Sequence, residues 1–433
     1  MWDVYNHVAD ILLKMEQRRG SMKSLVFSLR DISLPAKKNI FALACRTLER
    51  KSVIDRVLES TSLLQKEPQL QYHLALVMVF DLLFGKCRLQ CTGSIKRALM
   101  KHQAELLAAI AKELPKQQHS QPAHLPRYVR INSIKTSDDE VVSKLFASGF
   151  VLVSEQSDVC DKTTFCWDRD IPHLLVFHHS SSELLCNHPL YASSDIILQD
   201  KASCFSAFVL SPSPGSTVID SCAAPGNKTT HLASIMANQG AIFAFDKDKT
   251  RLLTLNKMVQ NAGAACVTTK LQDFLTVIPS SFPDVEYILV DPSCSGSGIV
   301  NRCDFQCEPG IDLRRLEKLS KFQEKILKHA LSFPSVKRVL YSTCSVHKEE
   351  NECVVERVLK EVQDSFELVH ALPEWNRRGF PVFEEALKCI RIMPEDQTNG
   401  FFVAMFERKK QTSNVDGTVV CGSKVKKTFQ AQR

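Results

Sequence analysis

From about residue 203 onward the chain repeats one pattern, a short apolar run followed by a longer stretch with helical spacing of its apolar residues. The runs are 217–220, 241–246, 265–269, 286–291, 337–342 and 400–407. The stretches 228–238, 249–262, 315–331 and 348–362 between them read as helices. Alternation of this kind predicts an α/β fold with a doubly wound, mostly parallel sheet, because each crossover helix buries its apolar stripe against a sheet face. Such sheets bind ligands outside the carboxyl ends of their strands, where the strand order reverses. The final run, Phe401-Phe402-Val403-Ala404-Met405-Phe406, is expected to add an antiparallel edge.

The rest of the chain has a different texture. Residues 1–115 show helical periodicity, as in Val4, Val8, Ile11, Leu12 and Met15. Residues 72–84 are apolar nearly all round, which marks the central helix of a bundle, with Gly85 at its C-terminal end. A further helix is expected over about 95–114, ending before Pro115. The polar stretch 116–122 is a linker. Brief strands at 126–132, 150–153 and 174–177 and a helix at 138–148 make 126–200 a small α+β unit. The domains predicted are therefore 1–117, 126–200 and 201–408, with 409–433 a basic, disordered tail.

Charge follows these divisions. Residues 1–135 carry 22 Lys and Arg against 11 Asp and Glu, residues 136–406 carry 26 against 35, and residues 407–433 carry 7 against 2. Basic ends around an acidic middle suit a polyanionic partner, although solvated helix faces would give the same balance. No apolar run approaches the ~18 residues of a membrane span, and the N-terminus lacks a signal-peptide pattern. The 16 cysteines are irregularly spaced and read as free thiols in a reducing compartment. Cys303 with Cys307, and Cys87 with Cys91, are single pairs without a second pair, so no metal site is expected.

Five predicted strands end in chemistry-bearing residues. The first runs into Asp220-Ser221-Cys222-Ala223-Ala224-Pro225-Gly226-Asn227-Lys228-Thr229 and opens a helix. The Pro-Gly turn lets backbone amides approach a ligand, and the helix N-terminus favours negative charge. Asp246 ends the next strand, spaced to bond ribose hydroxyls. Asp273 ends the third and is placed to meet a base amino group, while Arg251 could hold the site's carboxylates. The loop is neither G-x-G-x-x-G nor a P-loop, which weighs against a dinucleotide or ATP. Asp291 and Cys294 follow the fourth strand, in Asp291-Pro292-Ser293-Cys294-Ser295-Gly296, and Cys344 follows the fifth, in Tyr341-Ser342-Thr343-Cys344-Ser345. An acid and two thiols beside a nucleoside-binding loop suit nucleophilic chemistry on a pyrimidine ring. Each cysteine could instead be a buried apolar residue, the reading preferred for Cys204, Cys266, Cys353 and Cys389. Cys222 reads as a packing residue within the loop.

These stretches, with Pro126-Arg127-Tyr128-Val129-Arg130-Ile131-Asn132 and Gly400-Phe401-Phe402, occur in the order seen in the Sun-type RNA cytosine-5 methyltransferases, which this chain resembles over about 120–407. The Asp-Pro-Ser-Cys tetrad, His188-Pro189-Leu190-Tyr191 and Arg19-Gly20-Ser21-Met22-Lys23 look like the branch acting on large-subunit ribosomal RNA. The resemblance implies a Rossmann-like class I methyltransferase domain using S-adenosylmethionine, bound by residues 222–228 (Cys222, Ala223, Ala224, Pro225, Gly226, Asn227, Lys228) with Asp246, Arg251, Asp273 and Asp291. It implies that the helical module and the α+β unit dock RNA. It assigns attack on cytosine C6 to Cys344 and product release to Cys294, whereas the residues alone leave the two thiols interchangeable.

Negative charge developing at N3 needs an acid, for which Asp291 is placed. The target base must be unpaired or flipped out. Arg127, Tyr128 and Arg130 are candidates for the phosphate backbone, or for the solvated face of an edge strand. Expected with this reading are a monomer, a nuclear or nucleolar location and pre-ribosomal particles as the setting. A transfer or messenger RNA substrate, or a catalytically silent assembly factor, are the alternatives.

Overall fold

The computed structural model describes residues 2–17, 19–20, 22–89, 91–113, 125–300 and 313–410. The linker at 116–122, Cys303, Cys307 and the tail beyond 410 lie outside the described residues.

Helices from Trp2–Glu16 to Gln103–Glu113 form the N-terminal module. Its central helix, Tyr72–Leu83, is buried from Leu74 through Leu82. That stretch includes Asp81, whose carboxylate accepts the Tyr5 hydroxyl and the Lys86 amide. The helix expected at 95–114 is in fact two, Ser94–Lys101 and Gln103–Glu113. The break sets the His102 ring between Glu67 Oε1 at 3.0 Å and Glu105 Oε2 at 3.3 Å.

The small unit holds β1 (Arg127–Ile131), β2 (Val151–Leu152), β3 (Thr164–Trp167), β4 (Leu174–Phe177) and β5 (Ile196–Leu198), in the order β2-β3-β4-β1-β5. β1 is thus an interior strand, paired antiparallel on both sides. This corrects the reading of its alternate residues as the solvated face of an edge strand. Tyr128 is buried and donates its hydroxyl to Gln397 O at 2.9 Å. Arg130 is 1% exposed and bonds Gln199, Thr230 and Ser234. Both residues tie the small unit to the larger sheet.

That sheet contains β6 (Thr217–Asp220), β7 (Ala241–Asp246), β8 (Val267–Leu271), β9 (Tyr287–Val290), β10 (Arg338–Thr343), β11 (Phe366–Val369), β12 (Ile390–Ile392) and β13 (Phe401–Arg408). Its order is β11-β13-β10-β9-β6-β7-β8, with β12 pairing β13. β6 to β10 run parallel, and β13 inserts antiparallel between β10 and β11. The antiparallel addition expected at the end of the chain is present, though inside the sheet and not at its rim. β8 begins two residues later than expected, because Gly263 (φ +71°) ends the preceding helix and Cys266 N bonds Asn238 Oδ1 across the turn. The helix expected from 348 begins at Glu352.

From β6 the chain winds outward to β8, then returns to β9 on the other flank of β6. The strand order reverses between β6 and β9, and the candidate residues gather at that carboxyl edge.

Candidate active site

Asp220 ends β6, Asp291 follows β9 and Cys344 follows β10. The loop after β9 returns Cys294 toward β10, and its Sγ lies 3.1 Å from Cys344 Sγ. Both side chains are half-buried. The thiol contact and burial push the Cys294 pKa well up, so this sulfur is held as a thiol.

Lys228, in the first turn of the helix Asn227–Ile235 that follows the loop after β6, places Nζ 2.8 Å from Asp291 Oδ2. The other Asp291 oxygen accepts Ser342 Oγ at 2.9 Å, and Ser342 is reached in turn by Ser206 Oγ at 3.1 Å. Burial opposes charge on Lys228, but Asp291 and the field of Cys344 outweigh it and raise its pKa. A fixed cation therefore sits beside both the acid and the second thiol.

A buried carboxylate aligns the two cysteine loops. Glu350 is fully buried, and its Oε1 accepts Ser295 N and Gln323 Nε2, each at 2.9 Å. Its Oε2 accepts Ser295 Oγ at 2.5 Å. Ser297 Oγ lies 3.1 Å from Ser345 Oγ and accepts Val346 N at 3.1 Å, linking the loops a second time. Asn351 bridges Thr343 Oγ1 and Ser345 O on either side of Cys344. Gly298 N donates to Cys344 O at 2.9 Å, and a Cβ on Gly298 would stand 2.2 Å from Gly400 O. No local sequence pattern singles out Glu350, Asn351 or Gly298. The run Lys348-Glu349-Glu350-Asn351-Glu352 looks like a solvated helix start, and only the tertiary fold buries its last three residues.

The loop after β6 folds against the end of β7. Ala223 N bonds Phe245 O at 2.9 Å, and Ala224 N reaches Asp246 Oδ2 at 3.3 Å. The Ala224–Pro225 bond is cis, and Gly226 has φ +115°. A Cβ on Gly226 would meet Leu255 Cδ1 at 2.9 Å, so this turn requires glycine. Arg251 donates to Ala224 O at 2.5 Å and lies 3.5 Å from Asp246 Oδ2, bracing loop and strand end together. Cys222 packs beneath the loop, its thiol raised to about 12 by burial. Asp273 caps the turn Phe274–Thr276 through Leu275 N and lies 4.0 Å from Lys247 Nζ.

Burial raises Asp220 to about 7, although Thr229 donates to its Oδ2 at 2.8 Å. Asp220 Oδ1 and Asn227 Oδ1 are buried with no hydrogen-bond partner. Unfilled acceptors beside Asp246 and a glycine turn fit the amino and hydroxyl donors of S-adenosylmethionine.

Of the cysteines read as buried, Cys204 and Cys389 are, while Cys266 and Cys353 are only half-buried. Among the described residues no group of three or more His, Cys, Asp or Glu is arranged for a metal ion, and no helix is long and apolar enough to cross a membrane.

Comparison with known proteins adds three matches to family models. Residues 207–407 match the 16S rRNA methyltransferase RsmB/F family. Residues 38–124 and 125–199 match the N-terminal and ferredoxin-like domains of NOL1/NOP2/Sun domain family member 5. The chain is 42% identical over 427 residues to a 28S rRNA (cytosine-C(5))-methyltransferase of Mus musculus, covering 94% of this chain and 91% of the relative. It is 41% identical over 426 residues to the 25S rRNA (cytosine-C(5))-methyltransferase rcm1 of Schizosaccharomyces pombe, covering 93% and 90%. The crystal structure of a methyltransferase homologue from Pyrococcus horikoshii superposes with a TM-score of 0.54 at 27% identity, over 81% of this chain and 99% of that one.

Proposed function

We propose, for a chain that belongs to the Sun-domain family of S-adenosylmethionine-dependent rRNA cytosine-C5 methyltransferases, that it methylates C5 of a cytosine in large-subunit ribosomal RNA through a covalent bond between Cys344 and ring carbon C6. The observation that carries this reading is the pair of thiols 3.1 Å apart beside the Lys228–Asp291 ion pair.

Cytosine C5 is a poor nucleophile. Addition of the Cys344 thiolate to C6 makes the ring an enamine and divides one difficult step into two easier ones. The Lys228 ammonium stabilises that thiolate, and a free thiol near pKa ~8.5 needs such a partner. Lys228 and Asp291 together face the charge that develops on the ring, and the proton on Lys228 is the one this pair can share with N3. Residues 222–228, with Asp246, Arg251, Asp273 and Asp291, hold S-adenosylmethionine, which supplies the electrophilic methyl group when bound. In the release step water takes the C5 proton, the C5–C6 double bond re-forms and the C6–S bond breaks, while the Cys294 thiol, 3.1 Å from Cys344, gives its proton to the departing sulfur.

In this account residues 1–117 and 126–200 dock RNA, and 201–408 carry out the transfer. The excess of Lys and Arg in residues 1–135 supports that division. The enzyme acts as a monomer in the nucleolus, on pre-ribosomal particles. The test is transfer of labelled methyl from S-adenosylmethionine to total RNA, with the modified base located by bisulfite sequencing. Label confined to cytosines of large-subunit rRNA is expected, and label in transfer RNA alone would contradict the substrate.

A further inference from the structure

Arg130 is buried without a counter-ion. Burial brings it down to about 10, and no carboxylate among the described residues pairs with it. Buried arginines are ordinarily paired. Here Nε, Nη1 and Nη2 donate to neutral oxygens only, Gln199 Oε1 at 2.9 Å, Ser234 Oγ at 3.2 Å and Thr230 Oγ1 at 3.0 Å. Two of its five N–H donors are left over.

The guanidinium borders a cavity of about 260 Å³ between β1 and the helix Asn227–Ile235. His173, His231, Ser133, Ser211 and Ser234 line it too, and no acidic residue does. His231 is 5% exposed and its Nδ1 has no partner. Burial first, then the fields of Arg130 and His173, hold it in the neutral form. Asp138 is bonded to His173 Nδ1 at 2.9 Å. The cavity thus gathers a guanidinium, two imidazoles and three hydroxyls, with no negative charge on its wall.

We infer that this cavity is a phosphoryl-group site, separate from the thiol centre. Donors spread over several elements suit a tetrahedral oxyanion better than a planar carboxylate, and Arg130 has N–H groups to spare for it. The same chemistry is offered by free phosphate and by a phosphodiester of an RNA strand lying across the small unit.

The test uses the full chain and inorganic phosphate. Thermal unfolding is followed against phosphate concentration, with chloride at matched ionic strength as reference. The expected result is a saturable, phosphate-specific rise in Tm of about 2 °C or more. Ser133→Asp and Ser211→Asp place an acid at two exposed rim positions, and aspartate tolerates the φ of +42° at Ser211. Both variants should keep the phosphate-free Tm within about 1 °C of the parent and lose the phosphate response. Absence of a phosphate-specific shift, or an equal shift in both variants, overturns the inference. A parallel measurement of RNA binding separates the sources. Weakening by about threefold or more in phosphate over matched chloride assigns the site to the RNA backbone, whereas unchanged RNA affinity beside the Tm rise assigns it to free phosphate. Neither measurement depends on methyl transfer, so the site stands or falls apart from the enzyme reading.

Discussion

Lys228 Nζ lies 2.8 Å from Asp291 Oδ2, and through this ion pair the first turn of the helix after β6 meets the loop after β9 where the sheet changes direction. In the proposed account one residue belongs to the cofactor-binding segment and the other to the thiol-bearing strand ends, so the pair would couple the two halves of the reaction.

Replacing Lys228 with Met should remove the cation while keeping most of the side-chain volume. Turnover is expected to fall by roughly 10²–10⁴-fold, the span of a positioned acid–base group. Single-turnover methylation measures it, and a variant within a factor of about three of the parent would rule the ammonium out of the chemistry.

Asp246→Ala should act on binding. Asp246 receives Asp248 N at 2.9 Å and Ala224 N at 3.3 Å, so its loss both loosens the loop and removes the acid proposed to meet the ribose. Calorimetry should show S-adenosylmethionine binding weakened by about tenfold or more, the ~1.4 kcal/mol of one good hydrogen bond to a charged group.

Glu350→Ala separates positioning from binding. Glu350 touches neither proposed ligand, but it fixes the Cys294 loop through Ser295. The variant is expected to lose on the order of 10²-fold in kcat, because small displacements of reacting groups are costly, while its affinity for S-adenosylmethionine stays the same. Equal losses in both would make Glu350 a residue of general stability only.

Much of this site could be read from strand ends. Asp220, Asp246, Asp291 and Cys344 all stand where an apolar run stops, and the order of the runs placed them on one edge of a parallel sheet. What escaped the sequence depends on which neighbours the fold supplies. Arg130 alternates with apolar residues as though it faced solvent, yet β4 and β5 flank its strand and the helix Asn227–Ile235 covers it. Glu350 and Glu352 sit in a charged run, and Ser295, Gln323, Phe380 and Arg391, distant in sequence, make their burial tolerable. Lys228 was identified as part of the loop, but its partner Asp291 is 63 positions away and no local pattern links them.

Asp220→Asn should flatten a pH dependence of stability. The folded pKa of about 7 exceeds the ordinary 3.8 because burial penalises the carboxylate. The neutral acid carries no such penalty below pH 3.8. As pH rises from about 4 to 7 the unfolded chain ionises first and the parent loses stability, and above 7 the loss is complete. Over that window the Tm of Asp220→Asn should rise relative to the parent, and a constant difference would contradict the assignment.

Gly298→Ala forces a methyl group to within 2.2 Å of Gly400 O unless the backbone shifts. Overpacking of this kind costs about 1–3 kcal/mol. Because Gly298 N holds Cys344 O, methylation should fall along with Tm. An unchanged Tm would mean that the two loop segments separate more easily than their hydrogen bonds imply.

The most direct measurement is the state of RNA on the Cys294→Ala protein. Without the thiol proposed for release, the account predicts RNA bound through a Cys344–C6 bond that survives denaturation and disappears in the Cys294→Ala, Cys344→Ala double variant. Sequencing the trapped RNA should return large-subunit rRNA. No adduct from Cys294→Ala, together with methylation persisting in Cys344→Ala, would contradict the roles given to the two thiols.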